Sequence, residues 1–304
     1  MQPEVPQETA SAASPTLPSS KTIDTLVPDL ENLLKTGATP SEKQLQSFST
    51  NLAMSIAESL SQRGRKATLR MSNIGRPCER QLYYEVNSPE EAEELSSSTY
   101  MKFMYGHLIE ELTLFLVELA GHKVEGRQDE SDIEGIKGHR DAVVDGRLLD
   151  VKSASSYSFK KFKEGKLSED DPFGYVGQIQ SYLHAGQEDP VITDKQKASF
   201  LVIDKTLGHI TLDTHEKDEK NWPEIFNQKK EMVQREEPPE RAFSPEPMGK
   251  SGNLKLPTIC SYCDFKFKCH KDANDGLGLR TFLYSNGPVY LTTVKEEPRV
   301  LEIE

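Results

Sequence analysis

Residues 138–152 of this chain read GHRDAVVDGRLLDVK, and this stretch decides how the middle of the protein folds. Two extended apolar runs stand on either side of Asp145 and Gly146. An Asp-Gly pair between such runs is a strong signal for a β-hairpin. The sequence therefore predicts an antiparallel hairpin whose strands are Gly138–Val144 and Arg147–Ala154.

A two-residue turn at that place sets Asp141 opposite Asp150, with Lys152 on the same face as Asp150. Opposed side chains of a hairpin lie roughly 5 Å apart, and side chains along one strand alternate between its faces. Two opposed carboxylates destabilise the pair unless a neighbouring group neutralises them. A divalent cation does so, because Mg²⁺ and Mn²⁺ favour carboxylate oxygens. The alternative is an exposed carboxylate pair that Lys152 screens.

A long apolar helix is predicted over residues 99–120, ending at Gly121, and we expect it to be buried in the middle of the fold. Glu110 lies on one apolar stripe of this helix. A carboxylate is costly to bury without a partner, so Glu110 is a candidate metal ligand. Glu111 also has apolar neighbours, and the helical pattern alone does not choose between the two.

Other elements follow from apolar periodicity and from breaker residues. Helices are predicted over residues 39–63, 77–86, 173–187 and 216–236, and a second strand pair over Ala198–Asp204 and Gly208–Asp213. The helix over residues 39–63 is expected to begin with a capping box from Thr39 to Glu42 and to pack on the core.

Four motifs in chain order resemble those of the PD-(D/E)XK nuclease superfamily, and of its RecB-like branch in particular. They are Gly106-x-x-x-Glu110 on a helix, Asp141 on a strand, Asp150-x-Lys152 on the next strand, and Gln178-x-x-x-Tyr182 on a later helix. The register of the resemblance selects Glu110 over Glu111. Many RecB-like members carry His where this chain has Glu110, and phage exonucleases more often carry Glu. His107, one turn earlier, is therefore the alternative ligand.

The resemblance implies an α/β fold with a restriction-endonuclease-like core, in which a mixed sheet is flanked by helices. It also implies a metal-dependent DNA exonuclease that hydrolyses phosphodiester bonds in DNA repair, DNA recombination or phage DNA metabolism. The implied ligands of Mg²⁺ or Mn²⁺ are Glu110, Asp141, Asp150 and the carbonyl of Val151, with His107 as the alternative. Lys152 would orient the attacking water and stabilise the transition state, and Gln178 and Tyr182 would position the nucleotide.

Four cysteines occur in the chain, Cys78 alone and Cys260, Cys263 and Cys269 as C-x₂-C-x₅-C. In a cytosolic protein such cysteines indicate a metal site before they indicate disulfides. Their arrangement is similar to the iron–sulfur staple of AddB and of CRISPR-associated RecB-like nucleases, and four thiolates suit a 4Fe-4S cluster. A structural Zn²⁺ site is the main alternative, and His270 is a substitute ligand. The resemblance implies that this cluster joins the N- and C-terminal segments of the domain.

Four regions follow along the chain: a disordered tail over residues 1–22, an N-terminal helical segment over 23–69, a nuclease domain with the cluster staple over 70–275, and a C-terminal extension over 276–304. The tail is expected because Pro, Ser, Ala and Gln dominate it, and such a segment cannot bury enough apolar surface to offset its ordering entropy.

The net charge of −12 argues weakly against a broad nucleic-acid-coating surface. Two basic islands, residues 63–80 and 152–166, are nevertheless expected to guide a DNA backbone. Tyr157, Phe159 and Phe162 interleave with the second island, which suits base stacking on a single strand; local packing is the alternative. The expected partner is DNA, single-stranded or with free ends.

No apolar run approaches the ~20 residues of a membrane helix, and no signal peptide is recognisable, so a cytoplasmic protein without membrane association is expected. Whether the protein forms an oligomer or binds a partner subunit stays open. The alternative function belongs to another class: a DNA-binding recombination accessory module with a degenerate nuclease site and a structural metal. A role in CRISPR adaptation has no specific residue in its favour.

Overall fold

The computed structural model describes residues 21–61 and 67–303. Its helices are α1 Leu26–Thr36, α2 Glu42–Ser61, α3 Glu79–Asn87, α4 Ser97–Leu119, α5 Ser156–Lys163, α6 Tyr175–Ala185, α7 Trp222–Val233, α8 Thr258–Ser261, α9 Lys266–Cys269 and α10 Ala273–Gly276. Its strands are β1 Val124–Glu125, β2 Glu130–Ile133, β3 Ile136–His139, β4 Ala142–Val144, β5 Arg147–Ala154, β6 Lys197–Asp204, β7 Ile210–Glu216, β8 Glu246–Pro247, β9 Leu254–Lys255, β10 Arg280–Tyr284, β11 Gly287–Thr293 and β12 Glu302–Ile303.

The predicted tail lies outside the described residues except for Lys21 and Thr22. Lys21 forms an ion pair with Asp29 of α1, with 3.3 Å between Nζ and Oδ1. The same ammonium donates a hydrogen bond to the carbonyl of Ala120 at the end of α4. The described chain therefore starts at a point where it is held against two helices.

Five strands form a mixed central sheet in the order β1-β4-β5-β6-β7. β5 and β6 are parallel, whereas the other pairs are antiparallel. A parallel pair needs a crossover connection, and the segment with α5 and α6 supplies it. Helices lie on both faces of the sheet, which confirms the predicted α/β class with a mixed sheet flanked by helices.

The hairpin predicted around Asp145 and Gly146 is present as β4 and β5. Both turn residues have positive φ, 49° and 83°, as a type I′ turn requires. The register pairs Val144 with Arg147. The local Asp-Gly signal therefore sets both the turn and the start of the strand pairing.

The predicted first strand of this hairpin, Gly138–Val144, is divided in the structure, so the prediction of one continuous run was wrong. β3 belongs to a separate two-stranded sheet with β2, and β4 begins only at Ala142. Between them the buried Arg140 forms ion pairs with Asp129 at 2.6 Å and Asp189 at 2.5 Å. These ion pairs hold the residues between β3 and β4 outside either strand. This break between the two strands lies at the candidate active site.

Two apolar clusters fasten the helices to the central sheet. One face of the sheet, with Val143, Leu148 and Phe200, packs against α3, α5, α6 and α7. The other face, with Leu149 and Leu201, packs against α1 and the C-terminal half of α4. The helices that carry Glu110 and Gln178 therefore approach the sheet from opposite faces.

The helix predicted over residues 99–120 is present, but the expectation that it is buried in the middle of the fold holds for its C-terminal half alone. α4 covers this stretch, but Phe103 is 52% exposed, whereas Leu114 is 1% exposed. The C-terminal half packs on the sheet, and the N-terminal half extends past it. α2 packs on α4, with the rings of Phe48 and Phe115 4.6 Å apart.

The helix predicted over residues 39–63 is α2, and its start differs from the expected capping box of Thr39 and Glu42. The Ser41 hydroxyl accepts a hydrogen bond from the Gln44 backbone at 3.3 Å, and the Gln44 side chain accepts one from the Ser41 backbone at 2.9 Å. None of the described residues of α2 is buried. α2 therefore packs on another helix and not in either apolar cluster.

A second sheet contains five short strands in the order β12-β10-β11-β9-β8, with antiparallel pairs throughout. It joins β8 and β9, which precede residue 275, to the three strands that follow it. The stretch predicted as a C-terminal extension, residues 276–304, thus shares a sheet with the segment before it.

Candidate active site

Asp150 and Lys152 stand two residues apart on β5, so their side chains share one face of the sheet. Asp150 is buried, and its Oδ1 lies 2.7 Å from the Lys152 ammonium. Asp141 lies in the break before β4, and its Oδ2 accepts a hydrogen bond from the Val151 N–H at 2.7 Å. The pairing of Asp141 with Asp150 within the ladder was therefore a wrong prediction, because the ladder ends at Ala142.

Glu110, on α4, lies close enough to Asp141 and Asp150 for their charges to interact. Burial raises the pKa of Glu110 to about 7, and the charges of Asp150 and Glu111 add to the rise. One Glu110 oxygen accepts a hydrogen bond from the Gln128 amide at 2.8 Å. Glu111, one residue further, is buried in an ion pair with Arg127. The two neighbouring glutamates thus have different partners, and Glu110 is the one whose charge meets the aspartates.

The pKa values of Glu110 and Asp141 are both raised, and the charge of Asp150 contributes to each rise. Burial raises the pKa of Asp141 well above its usual range, and Asp150 and Glu110 raise it further. Burial opposes the charge of Lys152, but Asp150 and Asp141 outweigh it and raise the pKa of the ammonium. Three acidic groups therefore face one permanent cation, an imbalance that further positive charge would relieve.

Aromatic rings surround the Lys152 ammonium. Its nitrogen lies 4.8 Å from the ring centroid of Tyr175 and 5.8 Å from that of Phe200. It also lies 3.5 Å from the side-chain oxygen of Gln178. Tyr175 was not among the predicted site residues, although it stands three residues before Gln178 on α6. That helical spacing is the signal by which the sequence could have indicated it.

Tyr182 is buried beside the chain that leads to Asp141. Its hydroxyl donates a hydrogen bond to the carbonyl of His139 at 2.9 Å. A Cβ on Gly138 would lie 2.4 Å from that hydroxyl oxygen, so only glycine leaves room for it. Tyr182 therefore holds the end of β3 in place, whereas direct contact with a nucleotide stays a prediction.

The structure separates the two candidates for the first-motif ligand. Glu110 lies among the carboxylates, whereas His107 is exposed on α4. Sequence reasoning also missed Arg127 and Gln128, which hold the two glutamates of this helix. They belong to an irregular turn in which Gln128 has a φ of 56°, and no motif in the sequence indicates their role.

The four cysteines line one common pocket, together with Arg80, Tyr84 and Phe265 among others. Cys78 immediately precedes α3, and Cys260, Cys263 and Cys269 lie in the region of α8 and α9. Burial raises the pKa of the Cys260 and Cys263 thiols to about 12, and neighbouring cysteines add to the rise. The fold thus brings together thiols that are far apart in the sequence.

The second basic island forms α5, and two of its three aromatic residues are not available for base stacking. Phe159 and Phe162 are 5% and 3% exposed in the core, whereas Tyr157 is 74% exposed. In the first island, Arg63, Arg65 and Lys66 lie outside the described residues. The local-packing alternative therefore holds for both buried phenylalanines.

Among residues 21–61 and 67–303, no group of three or more His, Cys, Asp or Glu side chains is arranged so that it could hold a metal ion. The donor chemistry is suitable in both places: carboxylates for Mg²⁺ or Mn²⁺, and thiols for an iron–sulfur cluster or Zn²⁺. Metal binding therefore stays a prediction. Within the same ranges, no helix has both the length and the apolar character to cross a membrane.

Comparison with protein families finds no match, and comparison with curated protein sequences finds none. The crystal structure of SSO0001 is similar with a TM-score of 0.40 and 18% identity, covering 72% of this chain and 94% of that one. An alkaline exonuclease from Laribacter hongkongensis is similar with a TM-score of 0.37 and 18% identity, covering 55% of this chain and 86% of that one. Likenesses this distant do not indicate what this chain does.

Proposed function

We propose that this protein is a metal-dependent DNA nuclease and that it acts as an exonuclease. The observation that carries the proposal is the convergence of Glu110, Asp141 and Asp150 with Lys152. Glu110 lies on the helix α4, Asp141 lies between β3 and β4, and Asp150 and Lys152 lie on the strand β5. Their proximity is therefore a property of the fold. Three carboxylates beside one lysine repel one another, and a bound cation would relieve that repulsion.

Glu110, Asp141 and Asp150 would hold Mg²⁺ or Mn²⁺, since hard cations prefer carboxylate oxygens. A bound ion would supply activation of a water molecule for attack and neutralisation of charge on the scissile phosphate. The Val151 N–H fixes the orientation of the Asp141 carboxylate. Tyr182 acts as a positioning residue, because it holds the chain that leads to Asp141.

Lys152 supplies electrostatic stabilisation to the reacting phosphate. Its raised pKa keeps the ammonium charged over the working pH range. The rings of Tyr175 and Phe200 and the oxygen of Gln178 limit where the ammonium can go. A preorganised cation stabilises the charge that develops in the transition state better than one that must be ordered during the reaction.

The test is a time course on end-labelled single-stranded and double-stranded DNA with MgCl₂ or MnCl₂. Wild-type protein should shorten the DNA, and Asp150→Asn and Lys152→Met should each lose roughly 10²–10³-fold in rate. Lys123→Met is the matched control, since Lys123 has a 72% exposed side chain and pairs only with the surface residue Glu125 in the described structure. Asp150→Asn protein that degraded DNA at the wild-type rate would refute the assignment.

The same assay separates the alternative function. A DNA-binding accessory module would bind the labelled DNA and leave it intact with either metal. The release pattern also reports the mode of attack, because an exonuclease that starts at the labelled end releases the label in short products from the outset, whereas an endonuclease first gives labelled fragments of intermediate length.

We further propose that Cys78, Cys260, Cys263 and Cys269 bind a structural 4Fe-4S cluster. The support is that four thiols distant in sequence line one pocket. Such a site contributes folding free energy directly. Iron, acid-labile sulfide and zinc should be measured on anaerobically purified protein. A brown protein containing iron and sulfide supports the proposal, whereas a colourless one with stoichiometric zinc supports the Zn²⁺ alternative.

A further inference from the structure

A pocket of about 200 Å³ shares Lys152 with the candidate active site. Lys161 and Lys205 also line it, against Asp170 as the acidic residue of the lining. Lys161 forms an ion pair with Asp170. Because Lys152 is paired with Asp150 and Lys161 with Asp170, Lys205 is the lysine of this lining for which the described residues provide no ion pair, and its positive charge suits a phosphodiester group.

Aromatic rings lead from the surface of this pocket to Lys152. Phe173 is 49% exposed, and its ring centroid lies 5.5 Å from that of Tyr175, with 32° between the ring planes. Tyr175 in turn lies against the Lys152 ammonium, 4.8 Å from ring centroid to nitrogen. The outermost ring, that of Phe173, thus presents apolar surface to solvent and is separated from the lysine by the ring of Tyr175.

The backbone of the turn that carries Phe173 is held in place by its neighbours in the chain. Asp171 accepts hydrogen bonds from the backbone N–H groups of Tyr175 and Val176, at 2.9 and 2.8 Å. Gly174 has a φ of 76°, and a Cβ there would lie 2.2 Å from the carbonyl of Gly75. The turn that carries Phe173 is therefore fixed at both ends. A turn held in this way loses little backbone conformational entropy when a flat group stacks on the Phe173 ring.

We propose that this pocket binds one unstacked nucleotide of single-stranded DNA, with its base on Phe173 and its phosphate at Lys161 and Lys205. The inference rests on the proposed nuclease function and names the substrate of that site. Base stacking on aromatic rings is sequence-tolerant, because every base has a π-face. In a duplex the base faces are covered by their neighbours, so a frayed or single-stranded end is the form that fits.

The test measures binding by fluorescence anisotropy, with a labelled single-stranded oligonucleotide and with the blunt duplex of the same sequence. The full chain carries Asp150→Asn so that the DNA stays intact. Adding Phe173→Ala should weaken single-strand binding by about 5- to 100-fold and leave duplex binding unchanged. Phe173→Trp should restore single-strand binding, because it keeps an aromatic face.

Phe103→Ala is the matched control, since Phe103 is 52% exposed and lies outside the pocket. It should bind both DNAs as the parent does. Unchanged single-strand binding by Phe173→Ala overturns the inference, as does an equal loss for both DNAs. If the wild type cleaves DNA while Phe173→Ala binds normally, the pocket assignment fails and the nuclease proposal stands. A wild type that neither binds nor cleaves DNA overturns both.

Discussion

Replacing Glu110 with glutamine should stabilise the metal-free protein above neutral pH. The pKa of Glu110 rises from an ordinary value of 4.5 to about 7, with burial as the largest cause and Asp150 as the next. One pKa unit corresponds to about 1.4 kcal/mol, so the ionised form costs at most about 3 kcal/mol in the folded state. The side chain is only half-buried, and solvent screening reduces the expected gain to about 1–2 kcal/mol.

The pH dependence follows from the direction of the shift. Because the folded-state pKa is raised, the folded protein binds more protons at Glu110 than the unfolded chain does between pH 4.5 and about 7. The wild type therefore loses stability as pH rises through this window. Glu110→Gln does not undergo that loss. Its stability relative to wild type should therefore be unchanged below this pH window and should show the full gain above it.

Thermal melts in EDTA at about pH 4 and about pH 8 measure this effect, with an expected rise of roughly 2–8 °C at the higher pH alone. Divalent metal should raise the melting temperature of the wild type at the higher pH and raise that of Glu110→Gln much less, because a ligand that binds only the folded state stabilises it.

Glu111→Gln is the matched control, because it changes the adjacent residue in the same way. Glu111 is buried in an ion pair with Arg127, so its replacement removes the nearer of two carboxylates and leaves the guanidinium with Glu118 at 3.9 Å. A loss of about 1–3 kcal/mol is expected at the higher pH. Opposite signs for the two variants support the assignment of Glu110 to the carboxylate cluster. A Glu110→Gln protein no more stable than wild type at the higher pH would refute it.

Further substitutions test other parts of the structure. Gly138→Ala should cost about 1–3 kcal/mol in a urea titration, because its Cβ would lie 2.4 Å from the Tyr182 hydroxyl oxygen. Phe159→Ala should cost about 3–5 kcal/mol by the same measurement, whereas Tyr157→Ala should stay within about 0.5 kcal/mol, since they are 5% and 74% exposed. Cys263→Ala should lower the bound iron or zinc measured by elemental analysis, and it should lower the melting temperature of metal-loaded protein; unchanged metal content would contradict the cysteine site.

Local patterns predicted the parts of the fold that depend on neighbours in the chain. The Asp145-Gly146 turn has one favoured geometry, so the hairpin and its first pairs follow from the sequence. The strands β6 and β7 and the helix α6 follow for a similar reason, because their apolar spacing and flanking breakers are local. The break at Arg140 does not follow, since its ion pairs with Asp129 and Asp189 join distant segments.

The candidate site shows the same division. The sequence by itself determined that Asp150 and Lys152 share one face of a strand, because side chains on a strand alternate. The tertiary structure decided that Glu110 and not Glu111 meets the aspartates, because Arg127, from a turn after β1, takes the second glutamate. It also decided that Phe159 is core while Phe173 faces a pocket. Burial and charge pairing depend on which surfaces meet, and residues far apart in the chain settle that when the sheet and its helices pack together.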